Sequence, residues 1–97
     1  MTRVTLLTQT DCSMCDHAKD VLARVGLDHQ LTVAEIALDT DEGRALAMAS
    51  GVLFAPGVLL DGKPFAYGRL SERRLRKTLD TQALLPNNKT TNGGTSQ

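Results

Sequence analysis

The chain contains two cysteines, and only two residues separate them, as Cys12 and Cys15 in the segment TDCSMC. A pair this close can serve as a structural disulfide, as part of a metal site or as a redox couple. The structural role is the weakest of the three. Closing so short a loop stabilises a fold by about 2 kcal/mol, against about 4.7 kcal/mol for a hundred-residue loop. The spacing therefore favours chemistry at this pair.

The redox interpretation follows from where the pair lies in the predicted secondary structure. A short apolar run at residues 3–8 predicts a buried strand, and a helical pattern begins at Cys12. Cys12 would lie at or near the N-cap, where unpaired backbone N–H groups and the helix dipole stabilise a thiolate. Cys15 would lie one turn further, on the apolar stripe. We therefore expect Cys12 to attack a substrate disulfide and Cys15 to resolve the mixed disulfide.

The residues around the pair affect the thiolate in opposite directions. Asp11 and Asp16 bring negative charge, which opposes ionisation of a nearby thiol. Ser13 keeps its backbone N–H and adds a hydroxyl, and both can donate to a thiolate. The sequence leaves the balance of these effects open.

Metal binding is the main alternative to redox chemistry. Two thiolates can hold zinc or a soft ion such as Cu(I) or Hg(II), and His17 could be a third ligand. A structural zinc site needs four ligands, and the other histidine, His29, lies beyond the far end of the predicted helix. Taken alone, His17 is interpreted as a solvated helix residue. A soft-metal binding or chaperone module remains the alternative function.

Composition limits the remaining classes. The 97 residues suit one domain, and 11 basic residues balance 11 acidic ones, which argues against a nucleic-acid binder. Basic side chains concentrate between residues 69 and 77. We interpret them as the solvated face of a helix, and the alternative is a surface that docks an acidic partner protein. No apolar stretch reaches the roughly 18 residues of a membrane helix, and no signal peptide is expected. We therefore expect a cytoplasmic protein.

Along the chain the pattern predicts the order β-α-β-α-β-β-α. Gly26 and Gly51 would end the first two helices, Asp61-Gly62 would form a hairpin turn, and Ser71 would cap the last helix. A βαβ unit followed by a hairpin requires a mixed four-stranded sheet with helices on both faces, an α/β fold of three layers. Residues 1–81 are predicted to form the domain, and residues 82–97 a disordered polar tail.

Three motifs together resemble the thioredoxin superfamily, and specifically a small glutaredoxin-like protein. They are TDCSMC, APGVLLDG and YGRLSERRLRKTL. With the strand before the first motif, the resemblance covers residues 3 to about 80. The resemblance implies a thioredoxin-like fold, with Cys12 as nucleophile and Cys15 as resolving cysteine. Pro56 matches the cis-proline of the family, which presents the preceding backbone, here Ala55, to a substrate chain.

The resemblance also implies a substrate site and a source of electrons. The expected substrate-binding residues surround the cysteines and the proline: Thr10, Asp11, Ser13, Met14, Ala55, Pro56 and Gly68. No bound cofactor is expected, because electrons would come from a thioredoxin-type reductase or a low-molecular-weight thiol. The expected partners are disulfide-containing protein substrates and that reductant, with neither nucleic acid nor membrane, and the chain is expected to be a monomer.

The chain departs from the glutaredoxin pattern at the positions that usually hold glutathione. Ser13 and Met14 replace Pro and Tyr between the cysteines, and Gln9 replaces a basic residue. Phe54-Ala55 replaces Thr-Val, and Tyr67-Gly68 with Ser71 replaces Gly-Gly followed by Asp. These changes favour a cytoplasmic dithiol thiol–disulfide oxidoreductase that reduces protein disulfides in the manner of thioredoxin. A protein-contact adaptor is disfavoured, because it would need neither thiol.

Overall fold

Seven elements follow one another in the predicted order β-α-β-α-β-β-α. The structure is a computed structural model, and it describes residues 2–84. Its elements are β1 (Thr2–Thr8), α1 (Ser13–Val25), β2 (Leu31–Ala37), α2 (Asp41–Ser50), β3 (Gly57–Leu60), β4 (Lys63–Tyr67) and α3 (Glu72–Leu84). Helix α3 thus continues three residues past the predicted domain boundary at residue 81. Residues 85–97 of the predicted tail lie outside the described residues.

The four strands form one mixed sheet in the order β2-β1-β3-β4. β1 pairs with β2 in parallel, which requires the crossover through α1, and it pairs with β3 antiparallel. β3 and β4 form the predicted hairpin, in which Asp61 and Gly62 both have positive φ, at 51° and 82°. This conformation is typical of a two-residue turn whose twist matches that of the strands.

Side chains on the two faces of the sheet form two separate cores. The α1/α3 core lies between the sheet and helices α1 and α3, and the α2 core lies between the sheet and α2. Because side chains alternate along a strand, β1 contributes Val4 and Leu6 to the first core and Leu7 to the second. The three-layer arrangement predicted from the sequence is therefore confirmed.

Each helix begins at a residue whose side chain accepts a backbone N–H from the first turn. Thr40 caps α2 by accepting the N–H of Gly43, and Ser71 caps α3 by accepting the N–H of Arg74. Cys12 has this position for α1. Each cap satisfies one of the N–H groups that a helix start leaves unpaired. Within the described part of the chain, no helix is long and apolar enough to cross a membrane.

An ion-pair network joins α1 to the first turns of α3. Glu72 accepts from Arg24 and from Arg76, each at 3.0 Å, and Arg76 also donates to Asp28 at 2.6 Å. The hydrogen bond from Arg24, followed by the one from Arg76, lowers the pKa of Glu72. The hydrogen bonds to Asp28 and then Glu72 raise the pKa of Arg76. The network therefore links α1 and the turn after it to the first turns of α3.

Truncating a core leucine tests the α1/α3 core. Leu75 is fully buried there, whereas Leu27 is 85 % exposed. We expect Leu75→Ala to lower the free energy of unfolding by about 2–5 kcal/mol, because it removes buried methyl groups and leaves a cavity. Leu27→Ala is the matched control and should change it by less than about 0.5 kcal/mol. Urea denaturation measures both, and equal losses would contradict the assigned core.

The Glu72 network should stabilise the fold in a pH-dependent way. Because the folded-state pKa of Glu72 is lowered, its contribution is present above the unfolded-state pKa and is lost as pH falls through the folded-state pKa. Glu72→Gln should therefore reduce the melting temperature slightly at neutral pH, with a smaller difference at about pH 3. Asp20→Asn, at an exposed position without an ion pair in residues 2–84, is the control. A Glu72→Gln effect equal at both pH values would indicate packing instead of charge.

Candidate active site

Strand register brings the predicted site residues to one end of the sheet. Leu7, near the end of β1, lies opposite Gly57, and Gly57 in turn lies opposite Tyr67 at the end of β4. The turn that leads from β1 to Cys12, the loop that ends at Pro56 and the turn at Gly68 therefore leave the sheet at the same edge. Three segments distant in sequence meet there.

The two cysteines form a disulfide across the first turn of α1, with their Cα atoms 5.2 Å apart. Cys12 is the N-cap residue, and its Sγ accepts the backbone N–H of Cys15 at 3.0 Å. Cys15 is 2 % exposed, whereas Cys12 is only partly buried. The N-cap position and the unequal burial predicted from the sequence are both present.

The loop before β3 provides the second part of the site. The Ala55–Pro56 peptide bond is cis, as the resemblance implied. Both residues are buried, and the Pro56 carbonyl accepts the N–H of Gly68 at 2.8 Å. This hydrogen bond fixes the cis-proline loop against the turn that follows β4. It holds Gly68 next to Ala55 and Pro56 in the folded site.

The Phe54 ring covers this junction. A Cβ at Gly68 would lie 3.1 Å from Cε1 of Phe54, so the ring packs directly against the glycine backbone. Gly68 also has a φ of 81°, which a residue with a side chain rarely adopts. Phe54 further meets Tyr67 edge to face, with ring centroids 5.1 Å apart. Both aromatic residues replace other residues of the glutaredoxin pattern, and their contact was not predicted from the sequence.

The remaining predicted residues form the exposed rim of the disulfide. Thr10 and Asp11 make the turn before Cys12, and Asp11 has a φ of 54° that an aspartate tolerates better than most residues. Ser13 and Met14 lie in the first turn of α1, and Met14 is 40 % exposed. These four residues can contact a molecule that approaches Cys12. Their roles in substrate binding stay predictions.

His17 differs from its interpretation as a solvated helix residue. It is half-buried, and its Nδ1 is buried without a hydrogen-bond partner in the described residues. The reason is that its side of α1 faces residues 69–73, which lead into α3 and line the same cavity as His17. Within residues 2–84, no three His, Cys, Asp or Glu side chains are grouped closely enough to hold a metal ion. His17 is therefore not placed with the cysteines as a third ligand.

Apolar side chains surround the same end of the sheet. Leu53 is 77 % exposed and Phe54 is 50 % exposed. Tyr67 and Met14 are each about 40 % exposed. Isolated exposed apolar residues are common, but four of them beside an accessible disulfide offer a surface that another chain can cover. The arrangement can bring a substrate segment against Cys12 while Cys15 stays shielded.

Comparison with protein families gives one match that spans most of the chain. The family described as Glutaredoxin-like domain (DUF836) matches residues 3–80. That range includes both cysteines, the cis-proline loop and the start of α3. The comparison with curated protein sequences found no match.

Solved structures with similar folds include thioredoxins. A mutant thioredoxin from Halobacterium salinarum superposes with a TM-score of 0.68 at 25 % identity, covering 88 % of this chain and 77 % of that one. A thioredoxin-like protein from Clostridium perfringens gives a TM-score of 0.67 at 13 % identity, covering 84 % and 70 %. A structure titled as a malarial protein gives 0.63 at 18 % identity, covering 88 % and 99 %. The predicted thioredoxin-like fold is confirmed.

The geometry around Cys12 predicts unequal reactivity of the two thiols in the reduced protein. The Cys15 N–H and the start of α1 should stabilise a Cys12 thiolate, so Cys12 should be alkylated faster and titrate below the free-thiol pKa of about 8.5. Cys15 should react slowly because it is buried. Alkylation rates against pH, assigned to each cysteine by mass spectrometry, measure this. Equal rates with unperturbed titration would contradict it.

Proposed function

Because this chain belongs to the family of glutaredoxin-like domains, and because its thioredoxin-like fold carries a Cys12–Cys15 disulfide, we propose that it is a thiol–disulfide oxidoreductase that reduces protein disulfides. One observation carries the proposal: a partly exposed Cys12 caps α1 and accepts the Cys15 N–H, while Cys15 is buried beside it. Reactive cysteines typically combine partial exposure with this kind of stabilisation.

The reaction follows from the difference between the two sulfurs. The Cys12 thiolate attacks one sulfur of the substrate disulfide, forms a mixed disulfide with it and releases the other sulfur as a thiolate. Cys15 then attacks Cys12 Sγ, which breaks the mixed disulfide and releases the second substrate sulfur. Two electrons pass from the dithiol to the substrate. The proton that Cys12 lost to solvent on ionising and the proton that Cys15 loses as it attacks balance the protons taken up by the two released thiolates. The Cys12–Cys15 disulfide is the product on this chain.

The site residues divide these tasks. Cys12 and Cys15 carry the covalent steps. Ala55 and Pro56 position the substrate chain, and the hydrogen bond between the Gly68 N–H and Pro56 holds that loop in place. Exposed Met14, with Thr10, Asp11 and Ser13, contacts the residues next to the substrate cysteine. Phe54 packs against Gly68 and stays half exposed, so a substrate chain along this loop would meet its ring.

In the proposed reaction the chain works in the cytoplasm, as a monomer, without a bound cofactor. A thioredoxin-type reductase or a low-molecular-weight thiol returns the Cys12–Cys15 disulfide to the dithiol after each turnover. Disulfide-containing proteins are the substrates.

Cysteine variants test the assignment of the two roles. Reduction of insulin disulfides by the dithiol form should be lost in Cys12→Ser, because no nucleophile remains at the exposed position. Cys15→Ser should instead accumulate a mixed disulfide between Cys12 and substrate, visible by mass spectrometry. Met48→Ala, at a site 85 % exposed on α2, is the control and should keep full activity.

Two results would contradict the proposed function. One is insulin reduction by Cys12→Ser at the rate of the unchanged protein. The other is failure of the unchanged, reduced protein to speed insulin reduction at all, in which case Cu(I) and Hg(II) titrations would test the soft-metal alternative.

A further inference from the structure

The chain segment that follows Gly68 forms a basic surface next to the candidate active site. Between residues 69 and 77 there are five basic side chains and one acidic side chain, Glu72, although basic and acidic residues are equal in number over the whole chain. The charge is therefore concentrated locally. This inference rests on the proposed function, because it concerns the partner that the Cys12 site would reduce.

Some of these basic side chains interact with a carboxylate or an aromatic ring within the described residues, and others do not. Arg76 is paired with Glu72 and Asp28, and Arg74 lies over the Phe65 ring, 5.3 Å from its centroid. Arg69 and Arg73 form no ion pair, side-chain hydrogen bond or ring contact within residues 2–84. Their guanidinium groups are available to a carboxylate from outside.

The two unmatched arginines line a cavity of about 350 Å³ between α1 and the start of α3. His17 and Arg24 line its α1 side, and Ser71 lies beside the arginines. Arg24 is already paired with Glu72 at 3.0 Å, which leaves Arg69 and Arg73 as the uncompensated charges. The surface is therefore both concave and positive.

The cavity lies within reach of a chain bound at Cys12. Arg69 directly follows Gly68, whose N–H is held by Pro56. His17 lies five residues after Cys12 in the sequence, about 7.5 Å along the helix axis at 1.5 Å per residue. An extended peptide covers that distance in about two or three residues. A carboxylate about two to four residues from a substrate cysteine would therefore reach Arg69 or Arg73.

Charge of the opposite sign lies on the outer face of α1. Asp16 and Asp20 are exposed there, and neither takes part in an ion pair in the described part of the chain. An acidic partner would be repelled from this face and attracted to the side where α3 begins. The two faces together define one orientation for such a partner.

We propose that Arg69 and Arg73 dock an acidic segment of the protein substrate, close in sequence to the cysteine that Cys12 attacks. The planar guanidinium group pairs with a carboxylate through two parallel hydrogen bonds, which suits recognition of Asp or Glu. Exposed Met14, Leu53 and Phe54 extend the contact surface at the same end of the sheet. A protein segment can cover that surface and the arginines together, whereas a small acidic thiol cannot.

Matched disulfide peptides test this proposal with the full-length protein. Both peptides of a pair carry one disulfide. The glutamate peptide has glutamates two to four residues from the cysteine on either side, and the glutamine peptide has glutamines at the same positions. At low salt the reduced protein should reduce the glutamate peptide about three- to tenfold faster, and the difference should disappear at high salt. The oxidised protein, which cannot donate electrons, should bind the glutamate peptide more tightly by a similar factor in fluorescence anisotropy.

Variants assign the preference to the proposed surface. The double substitution Arg69→Gln and Arg73→Gln should abolish the preference for glutamate and leave the rate on the glutamine peptide unchanged. Arg44→Gln is the matched control, because Arg44 lies on α2, on the other face of the sheet, and pairs with Asp41. It should leave the preference intact.

The outcomes separate this proposal from the proposed function. Equal rates and equal binding for the two peptides would overturn the docking proposal while reduction itself continues. An equal loss of preference in Arg44→Gln would overturn it too, because general charge would then explain the effect. If the double variant slows glutathione disulfide reduction as strongly as glutamate-peptide reduction, the surface serves a small thiol and the protein partner is wrong. If no peptide is reduced and the oxidised protein binds the two peptides equally, the oxidoreductase proposal and the docking proposal both fail. If no peptide is reduced but the oxidised protein still prefers the glutamate peptide, only the docking proposal is supported.

Discussion

Pairing of β1 on both of its edges is the constraint on which the other positions depend. β1 lies between β2 and β3, and its side chains are buried on both faces of the sheet. Parallel pairing with β2 requires α1 to cross one face, and antiparallel pairing with β3 places Gly57 opposite Leu7. Because Cys12 follows β1 and Pro56 precedes β3, the same register that satisfies the sheet also brings the disulfide and the cis-proline loop to one edge.

The chemistry of the site depends on the difference between two cysteines that lie one helical turn apart. The helix needs an N-cap, and Cys12 supplies one through its sulfur. The α1/α3 core needs apolar side chains from the same helix, and Cys15 lies on the buried stripe with Ala18 and Leu22. The local demand for a cap and the tertiary demand for burial therefore act on different sulfurs, which leaves one accessible and the other shielded.

Charge on the α3 side of the molecule has two distinct uses. The network of Arg24, Glu72, Arg76 and Asp28 is satisfied within the fold and joins two helices that pack on the same face of the sheet. Partly exposed pairs of this kind contribute little to stability individually, so the shared α1/α3 core is the main contact between the two helices. Arg69 and Arg73, in the same segment, have no ion pair within residues 2–84, so their charges can act on a molecule from outside.

The order and kind of the elements, the helix starts at Cys12 and Ser71 and the hairpin turn followed from the sequence alone, because each depends on residues only a few positions apart. The cis bond at Pro56 followed only from the family resemblance, since an X–Pro pair by itself permits either isomer. Placement of β3 beside β1, the packing of Phe54 over Gly68 and the half-burial of His17 were decided by the tertiary structure. Residues 82–84, which the composition assigned to the tail, are helical, because composition locates a helix boundary less sharply than a cap locates its start. Contacts between segments far apart in the chain leave no local pattern, so only the folded arrangement determines them.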